Sequence, residues 1–222
     1  MSLLFVYDSI YTSDKDNNGN SGDLMLKREI VFELMKKNNG ILKSRQATEA
    51  GIDNKTLQRM NQAGEIERVE KGIYIKPDQI EDDYLLTQYR CKKGIISHET
   101  ALFFHDLSDR TPFQLMLTIP SGYNTRLLKN KDKYKFFYIS KDLHGLGKMT
   151  MSTPYGNKVS VYNKERTLCD CLRKKDQLDT EIVMAAVKTY LKEPGADLAR
   201  LLKYADKFHL RSLVRQYMEV LS

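Results

Sequence analysis

The chain has 222 residues, 41% apolar and 29% charged, with 36 Lys plus Arg against 29 Asp plus Glu, a formal net charge of +7. This balance excludes wholesale disorder, which needs few apolar residues and a strong charge bias, and no run of about 18 apolar residues is present to span a membrane. Cys91, Cys169 and Cys171 are an odd set, which argues against a disulfide-built secreted domain and fits a reducing cytoplasm better.

The charge is unevenly divided. Residues 1–85 hold 12 basic and 15 acidic residues, a net of −3, and residues 86–222 hold 24 and 14, a net of +10. Inside the first half, residues 24–77 carry 11 basic and 7 acidic residues. A basic core between acidic runs is the pattern expected of a small polyanion-binding domain followed by a linker. Charge scattered over a solvated surface produces the same counts, so both readings stay open.

In chain order, Leu3 to Tyr7 is apolar and Thr12 to Gly22 is polar. This predicts a short strand or loose arm and a flexible connector over residues 1–22, without the basic start and cleavage site of a secretory signal. From Leu24 a helical period appears: Leu24, Val31, Leu34 and Met35 share a face, and Asn38-Asn39-Gly40 stops the helix. Ile41-Leu42-Lys43 is a short extended piece. Ser44 is the expected N-cap of a helix from Arg45 to Ala50, Gly51 ends it, and Asp53 caps a helix from Asn54 to Ala63. Glu65–Val69 and Gly72–Ile75 read as strands joined by a tight turn.

Residues 79–93 read as an acidic linker running into a helix. Beyond them, strands are expected near 94–97, 114–119, 136–139 and 158–162, with a helix from His98 to His105. Residues 121–135 are a basic stretch, and helices are expected at 165–173, 180–192, 197–208 and 210–221. The predicted fold class is α+β, a winged helix-turn-helix at 23–78 followed by a mixed α/β domain at 94–222 ending in helices.

The order helix, short helix, apolar turn, helix, hairpin carries a physical logic. A helix about 10–12 Å wide matches the DNA major groove, and the bracing helix holds the inserting one. On the inserting helix, Leu57 and Met60 face the core, leaving Asn54, Lys55, Thr56, Gln58, Arg59 and Gln62 for DNA or water. Arg59 suits a bidentate contact to guanine, and Gln58 or Asn54 one to adenine. Ser44 and Arg45 are candidates for a phosphate, and Arg68, Lys71 and Tyr74 are expected on the outer side of the hairpin. The same domain type also docks proteins.

The second domain lacks the motifs of catalysis. Cys169 and Cys171 have the wrong spacing for zinc, and no Gly-rich phosphate loop or nucleophile elbow occurs. His98 and His105 read as capping or surface residues, and Leu168, Cys169 and Leu172 as core. Asp170, near Glu165 and Lys174, leaves a metal-dependent nuclease as a minor alternative. The expectation is no catalytic residue, no metal and no cofactor. Arg126, Lys129, Lys131, Lys133 and Lys135, interleaved with Tyr123, Tyr134 and Phe136, read as a second nucleic-acid or protein-binding surface, or as a solvated loop.

Three runs of sequence together resemble the AbiEi-type antitoxins. They are Gly40–Arg45 with Ala50-Gly51-Ile52 and Gly64–Tyr74, then Ser97–Leu102 with Leu107–Arg110, then Val161–Asp170. The resemblance implies a cytoplasmic bacterial protein of a type IV toxin–antitoxin system that acts in phage defence by abortive infection. Its N-terminal domain would bind inverted repeats in its own promoter and repress the operon. Its C-terminal domain would neutralise a nucleotidyltransferase-like toxin without a stable complex. A monomer in solution with cooperative binding on DNA is expected, and no membrane partner. A ligand-responsive regulator of the same architecture is the main alternative.

Overall fold

The computed structural model describes residues 21–221. The arm and nearly all of the connector read at residues 1–22 lie outside the described residues. The chain divides into two compact units between Glu81 and Asp82.

The first unit opens with α1 (Ser21–Lys37), which begins earlier than the apolar period at Leu24 suggested. Val31 and Met35 are fully buried on its inner face. Asn39 (φ 51°) and Gly40 (φ 78°) end the helix in the left-handed region, and Gly40 N donates to Met35 O at 2.7 Å. Then follow β1 (Ile41–Lys43), α2 (Ser44–Glu49), α3 (Asn54–Gln62), β2 (Glu67–Glu70) and β3 (Ile73–Ile75). The three strands form an antiparallel sheet in the order β1-β3-β2, with Tyr74 of β3 opposite Leu42 on one side and Arg68 on the other. The core is Val31, Met35, Leu42, Ala47, Ile52, Leu57, Met60, Ile66 and Tyr74. Burying each side chain of this size stabilises the fold by about 1.5–3 kcal/mol.

The second unit starts at Asp82, so α4 (Asp83–Arg90), read as linker and helix from the sequence, packs within it. The reason is the Asp82 carboxylate. It caps α4 by accepting from Tyr84 N and Leu85 N, both at 3.1 Å. Its other oxygen accepts from Thr153 Oγ1 (2.6 Å) and Asn157 Nδ2 (2.8 Å) in the turn of a distant hairpin. Asp82 is thus a buried anchor, while Asp78, Glu81 and Asp83 around it are exposed.

The elements that follow are β4 (Ile95–Ile96), α5 (His98–Phe104), β5 (Leu115–Pro120), a 3-10 turn at Arg126–Lys129, β6 (Tyr134–Ile139), α6 (Lys141–His144), β7 (Lys148–Ser152) and β8 (Lys158–Tyr162). The mixed sheet runs β6-β5-β4-β8-β7, with β5/β6 and β4/β8 parallel and β4/β5 and β7/β8 antiparallel. Helices α7 (Lys164–Arg173), α8 (Thr180–Lys192), α9 (Leu198–Lys207) and α10 (Arg211–Leu221) complete the chain. The molecule is thus α+β and ends in helices, as its sequence pattern indicates. The pattern did not indicate β7, whose residues are mostly exposed.

Two sequence expectations in this unit are corrected. His98 and His105, expected in capping or surface roles, are buried at 0% and 7% exposure; His105 stands at the C-cap of α5, but neither is a surface residue. His98 stacks on Phe137 with centroids 3.5 Å apart, and its Nδ1 lies 2.9 Å from Ser97 Oγ. His105 Nε2 bonds the Tyr162 carbonyl at 2.6 Å. Asp170, on which the nuclease alternative rested, is fully buried between two guanidinium groups. Arg166 Nε donates to Oδ2 at 2.9 Å, and Arg173 Nη2 to Oδ1 at 3.0 Å. Arg166 also donates to the carbonyls of Leu143 and Leu146 and lies against the rings of Tyr162 and Phe208. Asp170 faces basic side chains rather than open solvent, which removes the basis for a metal-dependent nuclease.

Candidate nucleic-acid interface

The most developed polar surface of the first unit is α3, held by contacts at both ends. Its start is set by Asp53, whose carboxylate accepts Thr56 N at 2.8 Å and the Thr56 hydroxyl at 3.1 Å. The bond from the Thr56 amide, with help from the hydroxyl and Lys27, holds the Asp53 carboxyl below its ordinary value against a modest cost of burial. The turn before it passes through Gly51 at φ 79°, a region that a Cβ makes strained. Ile52 then turns into the core, its amide donating to Ala47 O at 2.9 Å.

The far end of α3 is tied twice. Asn61 Oδ1 accepts Arg68 N of β2 at 2.8 Å. Arg28 of α1 makes a two-pronged contact to Glu65, with Nε donating to Oε2 at 2.7 Å and Nη2 to Oε1. Between these ends, Thr56, Leu57 and Met60 are buried, while Asn54, Lys55, Gln58, Arg59 and Gln62 are exposed on the opposite side. Anchoring at both ends fixes the helix and hence the spacing of these side chains along its surface.

Among the candidate contacts, the structure therefore groups Asn54, Lys55, Gln58 and Arg59 on one exposed face. Thr56, expected there, is 3% exposed and belongs to the cap. The hairpin keeps Arg68 and Lys71 exposed, but Tyr74 is 5% exposed and not on the outer side. The cause is topological: β3 is the middle strand, hydrogen-bonded on both edges, and its three residues are all buried. Ser44 and Arg45, expected to hold a phosphate, stand at the start of α2, but Ser44 is not its cap. It is the first helical residue, its amide donating to Gly72 O at 2.8 Å. Arg45 pairs with Glu49 at 2.7 Å, and α2 has only six residues, too few for a developed helix dipole. Gln62, also named on this helix, is exposed beside Arg59.

In the second unit, the basic stretch separates into two groups. Lys133 pairs with Asp83 at 2.7 Å, and Lys135 donates to Gln177 O while lying over the Phe137 ring. Tyr134, expected to alternate with them outside, is 4% exposed. Arg126, Lys129 and Lys131 are exposed. Among the described residues, no group of three or more His, Cys, Asp or Glu side chains is arranged to hold a metal ion, and no helix is long and apolar enough to cross a membrane.

Comparison with known proteins bears on the first unit. The sequence model of the family described as transcriptional regulator, AbiEi antitoxin, matches residues 29–75, which span α1 from its third turn through β3. A search of curated proteins gave no match. Among solved structures, the crystal structure of the Rv2827c protein from Mycobacterium tuberculosis is similar at 12% identity and a TM-score of 0.47, covering 86% of this chain and 79% of that one. The resemblance to AbiEi antitoxins read from the sequence is thus found again by that family's model over the helices and hairpin of residues 29–75.

Proposed function

We propose that the protein is a DNA-binding repressor of its own operon and the antitoxin of a type IV toxin–antitoxin pair acting in phage defence. Residues 23–78 work as a winged helix-turn-helix. Helix α3 enters the major groove and presents Asn54, Lys55, Gln58 and Arg59 to base edges and phosphates. Arg68 and Lys71 of the hairpin meet the backbone beside it. The observation that carries this reading is the segregation on α3: apolar residues and a fully engaged cap on one face, and basic and amide side chains on the other. The family match over the same residues supports it.

The partners follow from that family reading. Inverted repeats in the promoter are the DNA partner, bound cooperatively by a chain that is monomeric in solution. A nucleotidyltransferase-like toxin is the functional partner, countered by residues 94–222 in the cytoplasm without a stable complex. The chain itself performs no catalysis in this scheme.

The first test is an electrophoretic shift of the DNA upstream of its own gene. Each bidentate contact discriminates by about 1–3 kcal/mol. The Arg59→Ala/Arg68→Ala variant is therefore expected to lose roughly tenfold or more in affinity for that DNA. Equal shifts by wild type and variant at moderate salt overturn the reading. The second test is co-expression with the neighbouring toxin gene: the full chain restores growth and residues 1–85 alone do not.

A further inference from the structure

Phe113 lies in the loop between α5 and β5 and is fully exposed, more open than any other large apolar side chain among the described residues. Burial of a phenyl ring is worth a substantial free energy, so a ring left wholly in water is free to gain it from a partner. Its neighbours are set by the sheet. Strands β5 and β6 are parallel, with Leu115 beside Tyr134, so the segments entering both strands run side by side at one edge. Gln114 Nε2 donates to Lys131 O, and Leu115 N donates to Lys133 O at 2.8 Å, which fixes the two segments together. Phe113, the residue before Gln114, thereby stands in the chain beside residues 131–133, which belong to a segment, residues 126–135, with five basic residues and a single acid, Asp132. Of these, Arg126, Lys129 and Lys131 are exposed. Of the acidic groups around it, Asp83 pairs with Lys133 and Asp179 with Arg110 at 3.3 Å, while Asp106 and Asp109 lie exposed earlier in the same loop.

We propose that this edge of the second unit, Phe113 with Arg126, Lys129 and Lys131, binds single-stranded nucleic acid. The ring takes one unpaired base by stacking, and the cations take the adjoining phosphates. Adjacent segments of a sheet lie about 4.8 Å apart, so a base stacked on Phe113 leaves its phosphate within reach of the Lys131 side chain. A duplex does not satisfy the site, because its bases are stacked on one another and offer no free face to a ring. A docked protein would match the aromatic ring but leave the flanking cations without an evident partner, so the charge favours a polyanion. The inference stands apart from promoter binding by α3, which involves other residues and paired DNA.

The test uses the full chain and two labelled 12-nucleotide probes, oligo-dT and oligo-U, with a 12-base-pair duplex of unrelated sequence as the control, followed by fluorescence anisotropy. Wild type is expected to bind either single strand more tightly than the duplex. Phe113→Ala weakens single-strand binding about fivefold or more, and Phe113→Tyr, which keeps the stacking face, restores it. Lys129→Glu/Lys131→Glu also weakens it, and its deficit shrinks as salt is raised. The shift of the upstream promoter DNA is unchanged in Phe113→Ala. Equal single-strand affinity in wild type and Phe113→Ala overturns the proposal, as does a wild type that prefers the duplex. A Phe113→Ala chain that binds both strands normally but fails to protect against the toxin also overturns it, assigning the surface to a protein partner instead.

Discussion

Arg166 shows what a buried charge demands of its surroundings. Its guanidinium is fully enclosed, with one carboxylate, two backbone carbonyls and two aromatic rings around it. Its Nη2 has no hydrogen-bond partner, and the Tyr162 and Phe208 rings lie 4.2 and 4.5 Å from the guanidinium carbon. Removing one member of such a pair leaves the other charge stranded, at a cost of about 3–5 kcal/mol. Asp170→Ala is therefore expected to lower the stability of the second unit by that amount in urea denaturation followed by circular dichroism. Arg166→Met/Asp170→Leu should recover most of the loss; if the double variant is the worse of the two, the pair contributes net stability of its own. His98 gives a second prediction. Burial, with Arg173, Arg166, Lys135 and Lys174 nearby, pushes its proton affinity well below the ordinary value, and burial does the same more weakly for His105. Below about pH 6.5 the unfolded chain takes up these protons while the folded chain does not. The stability is thus complete above about pH 6.5 and falls as the pH drops toward 5. His98→Asn, whose side chain tolerates the φ of 51° at this position, should show a shallower fall between pH 7.5 and 5 in thermal unfolding. An unchanged slope removes His98 from the account.

One capping side chain, Asp53, was read in the sequence, whereas Asn163, Asp179 and Asp197 were not named there and Ser44 is not a cap. Asp53, Asn163, Asp179 and Asp197 each accept a backbone amide of the first turn that they start, and a short polar residue before an apolar period is visible without a structure. The strands were less readable, for two different reasons. Tyr74 was assigned outward because a hairpin with one wet face alternates, yet β3 gains β1 as a second neighbour, and pairing across 30 residues leaves no local signal. Strand β7 was missed because its side chains are exposed, so the requirement for burial never shaped its pattern, although Met149 and Met151 do alternate with Thr150. The polar face of α3 was legible by period alone, except for Thr56, whose hydroxyl serves the cap. The cap itself is testable: Asp53→Ala is expected to cost about 1 kcal/mol of stability in the first unit. It should weaken promoter binding only in proportion to the unfolded fraction. A loss of affinity with the fold intact would instead make Asp53 part of the interface.

The net charge of +7 is the sum of two unlike parts, and the more basic part is not the one proposed to read the promoter. Charge totals govern how strongly a polyanion is attracted, whereas a few placed side chains govern which sequence is held. The distinction can be measured through salt. Binding that neutralises phosphates releases counterions, so log K falls linearly with log salt, at about 0.9 per phosphate on duplex DNA. Removing one phosphate-binding cation should lower that slope by about 1, while removing a base contact lowers affinity with little change in slope. For the promoter DNA, Lys55→Ala and Lys71→Ala are expected to reduce the slope by about 1 each. Arg59→Ala should cut affinity on the promoter more than on unrelated duplex, and so lower the specificity ratio. Lys129→Glu/Lys131→Glu should leave the promoter slope unchanged if the second unit's basic edge serves single strands alone. If instead that variant lowers the slope by two or more, the excess charge of residues 86–222 contributes to duplex binding, and the division of labour between the two units fails.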